Sequence, residues 1–387
     1  MTKQLLIAIE SGHRALLAGV LEQQPELVNT VFEEHEATPF ELALKNGFSK
    51  LADEIMNCDG FDLNHHGHNP LRLAIDLGFL DIAQALLHKG ANPNYRPQQM
   101  SSALLLCLDN EYFELAELMV EKGAEVNIRN DKGWTPLIWA SMKGRVKAVE
   151  FLLKHGAAVD VCNNDGWNAV TGAYFKQRLE VVDKLLAQGA VFSAKYSEAA
   201  MLSAFKNGHM KLAAELLENG VNPDVVDEDG QSLLILAIEK GDENFIKSVI
   251  SAGANTNVSN SSSMTALSLL VKNSQDELIS QLIVNGVDVN MGNKSFRSIH
   301  LAAEYDHLST AKLLIENGAD INALTDGNLS PLMVCAVNGS PNVARILLEK
   351  GANKKLKAPY PFSGDARHIA NERKHVLVRN VIDEMSR

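Results

Sequence analysis

The sequence has few of the features that mark secreted or membrane-spanning proteins. Its 387 residues include only four cysteines, which lie far apart without a C-x-x-C pair, and this favours reduced thiols over a disulfide framework. No stretch approaches the ~20 uninterrupted apolar residues of a membrane span. The apolar start, MTKQLLIAIESGHRALLAGVL, could suggest a signal peptide, but Glu10, His13 and Arg14 interrupt it early. We therefore expect a cytoplasmic protein.

Signatures of catalysis are also missing. The chain has no phosphate-loop motif G-x-x-x-x-G-K-[ST], no H-E-x-x-H, no G-x-S-x-G and no glycine-rich dinucleotide turn. His65, His66 and His68 form the one metal-like cluster, but they come from a single segment without a nearby cysteine. Zinc sites generally draw their ligands from more than one segment. We expect no enzyme activity, no cofactor and no metal.

Negative charge predominates. The formal net charge is −12, and the chain before Arg345 carries 26 basic and 43 acidic residues, or −17. Such a body repels nucleic acid and anionic membranes, so we expect neither as a partner. The acidic excess serves either solubility or a partner with a basic surface, and the sequence leaves both open. The basic end lacks the interleaved aromatics of a nucleic-acid-binding stretch; its lysines include Lys350, Lys354, Lys355 and Lys357.

One phrase recurs along most of the chain: apolar residues, two variable residues, Gly-Ala or a close variant, and then usually Asn or Asp. Its glycines are spaced 33, 33, 33, 31, 33, 33, 32 and 33 residues apart. They are Gly90, Gly123, Gly156, Gly189, Gly220, Gly253, Gly286, Gly318 and Gly351. A period of 33 is the signature of stacked helical repeats, which form one continuous core because each unit contacts its neighbours.

The fifth repeat shows how one unit is expected to fold. Thr135 and Pro136 predict the start of a first helix, and Gly144 predicts its end. A second helix is predicted over Val146–Lys154, with its apolar residues on one side. Gly156 is expected to terminate that helix. Each unit is therefore predicted to be a helix–turn–helix pair.

This repeat resembles the ankyrin repeat. The family phrase D-x-x-G-x-T-P-L-H-x-A-A is closest in NDKGWTPLIWAS at 130–141, and partial copies occur at 37–47, 69–78, 231–241, 297–306 and 329–339. The resemblance implies an all-α ankyrin-repeat solenoid with hairpin-like loops and a concave face that binds proteins. We expect about twelve repeats in a single array over 1–387, with diverged N-terminal repeats at 1–64, regular repeats at 65–355 and a C-terminal capping repeat at 356–387. Segments 95–101 and 258–264 look like inserts.

The family resemblance also selects candidate binding residues, because ankyrin repeats usually contact partners through loop tips and the exposed edge of the first helix. In repeats five and six these positions are Trp134, Met142, Lys143, Trp167, Phe175 and Lys176. Aromatic residues and Met are enriched at interface cores, and Trp is a frequent anchor. The alternative is that the two tryptophans only cover a repeat junction. Trp139 occupies a slot that is normally buried, so we predict it in the core.

Two weaker candidates lie further along the chain. The first is an apolar set at the same repeat positions, Met264, Phe296, Tyr305 and Leu329. The second is the acidic loop Asp227, Glu228 and Asp229, which is either a solvated turn or a contact for basic groups of a partner. The sequence thus predicts a monomeric, non-catalytic module that binds a protein partner. The alternative is a neutraliser, of the antitoxin or immunity type, that covers a basic enzyme with its acidic surface.

Overall fold

The computed structural model describes residues 1–65, 67–95, 102–292 and 297–385. Within these ranges the chain forms 24 α-helices and one short 3₁₀ helix, and its only β-structure is isolated bridges. The all-α prediction is confirmed. The chain divides into two compact units, Met1–Ser197 and Glu198–Arg387. A single array over the whole chain stays a prediction.

The first unit consists of helices that follow one another in pairs, a first helix and then a second. They are α1 (Thr2–Glu10), α2 (Arg14–Gln23), α3 (Pro39–Lys45), α4 (Ser49–Met56), α5 (Pro70–Asp76), α6 (Leu80–His88), α7 (Ala103–Asp109), α8 (Phe113–Glu121), α9 (Pro136–Lys143), α10 (Val146–Lys154), α11 (Ala169–Phe175) and α12 (Leu179–Ala187). The 3₁₀ helix η1 (Pro25–Asn29) follows α2.

The second unit has the same alternation. Its helices are α13 (Ser197–Lys206), α14 (Met210–Glu218), α15 (Leu233–Lys240), α16 (Glu243–Ser251), α17 (Ala266–Lys272), α18 (Asp276–Val284), α19 (Ser298–Glu304), α20 (Leu308–Glu316), α21 (Pro331–Asn338), α22 (Pro341–Glu349), α23 (Ala366–Glu372) and α24 (Val376–Glu384). In the described part of the chain no helix is long and apolar enough to cross a membrane.

The fifth repeat folds as its residues predict. The Thr135 side chain accepts a hydrogen bond from the Ile138 N–H at 3.2 Å and caps α9. Gly144 ends α9 with a φ of 72°, in the left-handed region that favours glycine. Helix α10 has the predicted bounds and buries Val149 and Leu152 completely. The predicted helix pair is confirmed.

The glycine of the recurring phrase lies where each second helix ends. All nine of these glycines have φ between +79° and +97°, a region in which a Cβ is strained. Gly156 donates its N–H to the Leu153 carbonyl at 3.1 Å, and Ala157 donates to the Leu152 carbonyl at 2.9 Å. These bonds satisfy carbonyls at the end of α10 that have no helical partner. The 33-residue period therefore reflects a repeated helix stop.

The Asn or Asp that closes the phrase joins consecutive repeats. Asn127 Oδ1 accepts from the Ala158 N–H at 2.8 Å, and Asn127 Nδ2 donates to the Gly156 carbonyl at 3.2 Å. The acceptor bond recurs from Asn29, Asn64, Asn94 and Asp160 in the first unit and from Asp224, Asn257, Asn290 and Asn322 in the second. Since a carboxylate has no N–H, Asp keeps only the acceptor bond.

Candidate functional site

The two candidate tryptophans stand at the same place in two similar loop tips. Asn130 Oδ1 accepts from the N–H groups of Lys132 and Trp134 at 3.0 and 2.9 Å, and the Trp134 carbonyl accepts from the Asn130 N–H. Asn163 holds Trp167 in the same way, at 2.8 Å. The asparagine closes each loop into a hairpin, so it fixes the backbone from which the tryptophan side chain projects.

Trp167 belongs to a group of three half-buried rings, Trp167, Phe175 and Tyr196, which we call the aromatic cluster. Its ring centroids are 5.6 Å apart for Trp167 and Phe175, 5.5 Å for Trp167 and Tyr196, and 6.1 Å for Phe175 and Tyr196. These are tilted and edge-on arrangements, which aromatic pairs prefer. The Tyr196 hydroxyl donates to the Asp165 carbonyl at 3.2 Å and ties the cluster to the loop tip.

Met142 of the preceding repeat extends the cluster because α11 has a glycine beneath it. A Cβ at Gly172 would lie 2.6 Å from Met142 Cγ and 3.7 Å from Trp167 Cε3. The Met142 side chain therefore fills the space above Gly172 and lies beside the Trp167 ring. A larger residue at position 172 would displace it. Three of the four predicted apolar residues of repeats five and six, Met142, Trp167 and Phe175, thus lie together.

Trp134 lies in the adjacent hairpin without joining the stacked rings. It is half-buried, and no aromatic ring in the described ranges stacks on it. The two hairpins are joined, because the Asn164 N–H donates to the Lys132 carbonyl at 3.0 Å. The backbone therefore holds the Trp134 hairpin beside the Trp167 hairpin.

The prediction that Trp139 lies in the core is wrong. Its neighbours Ile138 and Ala140 are 1% and 0% exposed, whereas Trp139 is only half-buried. Lys143 Nζ lies 5.8 Å from the centroid of the Trp139 ring, a cation–π distance. Because successive residues of a helix point in different directions, the two buried neighbours leave Trp139 on the outside of α9. The predicted lysines Lys143 and Lys176 are both exposed.

The acidic loop is another hairpin of the same kind, and its three acids differ in role. Asp227 Oδ1 accepts from the N–H groups of Asp229 and Gln231, both at 3.0 Å, and its side chain is 8% exposed. The Asp227 carboxylate is therefore occupied by its own loop. Glu228 and Asp229 are exposed at the tip.

The hairpin geometry recurs at 258–264. Asn260 Oδ1 accepts from the Met264 N–H at 3.0 Å, as in the tryptophan hairpins. The prediction of an insert at 258–264 is therefore wrong, since this segment is a regular loop tip. The other predicted insert is 95–101, and its residues 96–101 lie outside the described residues.

The second apolar set, Met264, Phe296, Tyr305 and Leu329, stays a prediction. Met264 and Leu329 are half-buried, and Tyr305 is 42% exposed with its ring 5.6 Å from that of His307. In the part of the chain that the structure describes, no hydrogen bond or aromatic ring contact joins Met264, Tyr305 and Leu329. Phe296 lies outside the described residues.

The histidine segment makes bonds within the protein. His68 Nδ1 lies 2.7 Å from Glu41 Oε2, and the Glu41 carboxylate also accepts from the Thr38 N–H at the start of α3. The His65 and His68 rings are stacked at 5.6 Å, and His66 lies outside the described residues. In the ranges that the structure covers, no three His, Cys, Asp or Glu side chains gather as around a metal ion.

Sequence reasoning missed Tyr196. The repeat alignment places Glu198 at the loop-tip position of the seventh repeat, but α13 already begins at Ser197. The available signal is the spacing of 31 between Gly189 and Gly220, two residues short of the period. Because this loop is shorter, Tyr196, which lies two positions before Glu198, packs against the Trp167 ring.

Comparison with known proteins gives a family and a short alignment with a curated protein. A family model described as ankyrin repeats (3 copies) matches residues 5–97, 104–196, 200–293 and 267–358, which is well over half of the chain. The human protein transient receptor potential cation channel subfamily A member 1 is 39% identical over 59 residues. That alignment covers 15% of this chain and 5% of the channel.

Proposed function

The chain belongs to the ankyrin-repeat family, and from this premise we propose that it is a non-catalytic module whose protein partner binds the loop tips and first helices of repeats five and six. Ankyrin repeats generally mediate protein–protein interactions. The similarity to the cation channel covers too little of that protein to transfer any activity. The proposal therefore rests on the family and on the geometry of this chain.

The observation that carries the proposal is the half-buried aromatic cluster with Met142 beside it and Trp134 in the next hairpin. Rigid aromatic side chains bury a large area on binding at a small cost in conformational entropy, and Trp and Tyr are enriched among residues that dominate binding energy. The Trp167 ring packs on Phe175 and Tyr196, so Trp167 can cover the junction between two repeats as well as bind a partner. Trp134, which has no stacked ring, is the cleaner test.

The test starts with the full chain as bait in its native host, followed by mass-spectrometric identification of what it captures. The affinity of the purified partner is then measured for wild type, Trp134→Ala and the Trp134→Ala/Trp167→Ala double variant. We expect a loss of about 2 kcal/mol or more in binding for the double variant, as for a hot-spot residue, with an unchanged helical signal and melting curve. Tyr360→Ala is the matched control, because Tyr360 is an 88% exposed aromatic in the second unit.

Two results would count against the proposal. Undiminished affinity of the folded double variant would remove repeats five and six from the interface. Unfolding of the double variant, together with unchanged binding by folded Trp134→Ala, would make the tryptophans structural only.

A neutraliser of a basic enzyme is the second candidate. It is favoured by the net charge of −12 and by the exposed carboxylates of Glu228 and Asp229. Charge-steered association slows steeply as salt rises. A strong salt dependence of the association rate that Glu228→Lys/Asp229→Lys abolishes would favour this function over simple scaffolding, and a flat salt dependence would exclude it.

We also propose that the chain is cytoplasmic and monomeric by itself, without a cofactor and without a nucleic-acid or membrane partner. Its four cysteines are free thiols, as in proteins of reducing compartments. Burial raises the pKa of Cys107 to about 12 and raises that of Cys335 strongly. Light scattering after size exclusion tests the oligomeric state, and a mass of twice 42.2 kDa would overturn the monomer.

A further inference from the structure

The lysines of the loop tips and first helices in repeats five and six and of the next loop differ in their partners from the lysines on the second helices. On α10 and α12 the lysines pair with glutamates of the preceding repeat. The Nζ–Oε distances are 3.4 Å for Lys147 and Glu111, 2.7 Å for Lys154 and Glu117, and 2.5 Å for Lys184 and Glu150. The positive charges of these three lysines, on the second helices of repeats five and six, are therefore paired with carboxylates of the same protein.

Four other lysines of this region, Lys132, Lys143, Lys176 and Lys195, are exposed and form no ion pair with any carboxylate in the described part of the chain. Lys143 and Lys195 instead lie 5.8 and 5.2 Å from the ring centroids of Trp139 and Tyr196. Lys195 Nζ also donates to the Asp165 carbonyl at 2.8 Å, and Lys176 directly follows Phe175.

The local charge is thus opposite to that of the whole protein. Segments 129–145 and 162–178, which hold the two hairpins and their first helices, contain six basic and two acidic residues, whereas the chain carries −12. Ammonium groups without carboxylate partners, two of them over half-buried aromatic rings, are complementary to carboxylates next to an apolar side chain.

We propose that the aromatic cluster and these four lysines bind an acidic protein segment that carries an aromatic or aliphatic anchor. This inference rests on the proposed function and names the chemistry of its partner. The anchor packs on Trp167, Phe175 and Tyr196, and the carboxylates of the segment pair with the lysines of the same two hairpins, their first helices and the following loop. At physiological ionic strength charges are screened beyond ~8 Å, so the lysines in contact with the segment outweigh the distant acidic surface.

Nucleic acid also offers negative charge and stacking bases, but the site fits it less well. Exposed Asp131 and Asp165 lie at the tips of the two hairpins, where they would face a continuous phosphate backbone. A polypeptide can place its acidic residues selectively, whereas a phosphate backbone carries a charge at every step. The peptide is therefore the favoured ligand, and nucleic acid is an outcome of the test.

The probe is a short fluorescent peptide in which Glu and Asp alternate with Phe and Leu, added to the full-length chain in anisotropy titrations. Three comparison ligands complete the experiment: the same peptide with Lys for the acids, the same peptide with Ser for Phe and Leu, and single-stranded oligothymidylate. We expect the acidic apolar peptide to bind most tightly. Equal or tighter binding of the basic peptide, or of the oligonucleotide, would overturn the inference.

Charge-reversal variants locate the site. Lys143→Glu/Lys176→Glu is expected to weaken binding of the acidic peptide about tenfold, the size expected for two surface charge contacts, whereas Lys143→Arg/Lys176→Arg retains it. The matched control is Lys89→Glu/Lys122→Glu, which makes the same charge change at exposed lysines after α6 and α8. An equal loss in this control would overturn the inference, since the effect would then be one of net charge.

The two proposals fail separately. If Trp134→Ala/Trp167→Ala loses the native partner while Lys143→Glu/Lys176→Glu keeps it, the proposed function stands and the acidic-segment inference falls. If the folded tryptophan double variant keeps the native partner, the proposed function itself falls.

Discussion

Asn290 offers a direct test of how one repeat is joined to the next. Its Oδ1 accepts from the Asp320 N–H at 2.8 Å, and its Nδ2 donates to the Gly318 carbonyl at 2.9 Å. Both partners belong to the following repeat, and Asn290 is half-buried. Asn290→Ala removes both bonds, whereas Asn290→Asp keeps an acceptor and removes only the donor.

The size of the effect follows from these two bonds. A neutral hydrogen bond contributes about 0.5–1.5 kcal/mol net to stability. Because both bonds are exposed to solvent, we take the lower part of the range for two bonds, a loss of about 1–2 kcal/mol in Asn290→Ala. For Asn290→Asp we expect at most about 1 kcal/mol, because Asp224 fills the equivalent position in this chain and accepts from the Asn255 N–H at 2.7 Å.

Native-state hydrogen exchange is the suitable assay, because repeat proteins open locally and a single unfolding midpoint mixes many repeats. A loss of about 1.4 kcal/mol corresponds to about tenfold faster exchange of the Asp320 amide. Asn285→Ala is the matched control, since the Asn285 side chain donates to the Gln281 carbonyl inside its own repeat.

The reasoning would be refuted by either of two results. Exchange of the Asp320 amide could be the same in Asn290→Ala and wild type, or Asn285→Ala could accelerate it to the same extent. The first result would mean that the bond carries no stability, and the second that any asparagine loss loosens the repeat.

Two further predictions concern a buried histidine and a strained turn. His300 is 2% exposed and donates from Nε2 to the Ala323 carbonyl at 2.9 Å, and burial lowers its pKa. At low pH the unfolded chain therefore binds a proton at His300 that the folded chain does not bind, and the free energy of unfolding falls as pH falls below about 6.5. His300→Gln should make this fall shallower when unfolding by urea is measured at several pH values. The same pH dependence in the variant and wild type would contradict the prediction. Lys374 is exposed with φ +62°, so Lys374→Gly should raise the free energy of unfolding by about 0.5–1 kcal/mol, while Lys374→Ala should not.

The fold could be predicted in detail because its determinants are local and repeated. The Thr135 cap and the Gly144 and Gly156 stops depend on the backbone conformation of a few neighbouring residues, and the structure confirms the bounds of α10. The role of the closing Asn could not be predicted in the same way. Its partners lie about 30 residues ahead, and only the stacking of repeats brings the Ala158 N–H within 2.8 Å of Asn127.

The candidate site was predicted only in part. Repeat alignment selects Trp134, Trp167 and Phe175, since a position in a repeat determines the direction of its side chain. Alignment fails where a repeat departs from the period, as at Tyr196, and where a carboxylate is taken up by its own loop, as in Asp227.

The sequence by itself determined that this protein is a stack of helix pairs, because helix starts and stops are encoded by cap residues and glycines that act within a few positions. Only the tertiary structure decided which side chains of those helices and loops come into contact and which stay exposed without a charged partner. The packing of Met142 over Gly172 and of Tyr196 on Trp167 joins residues of three repeats, and the pairing of second-helix lysines with glutamates leaves four others unmatched. Such contacts depend on the distance between neighbouring repeats, which no single repeat specifies.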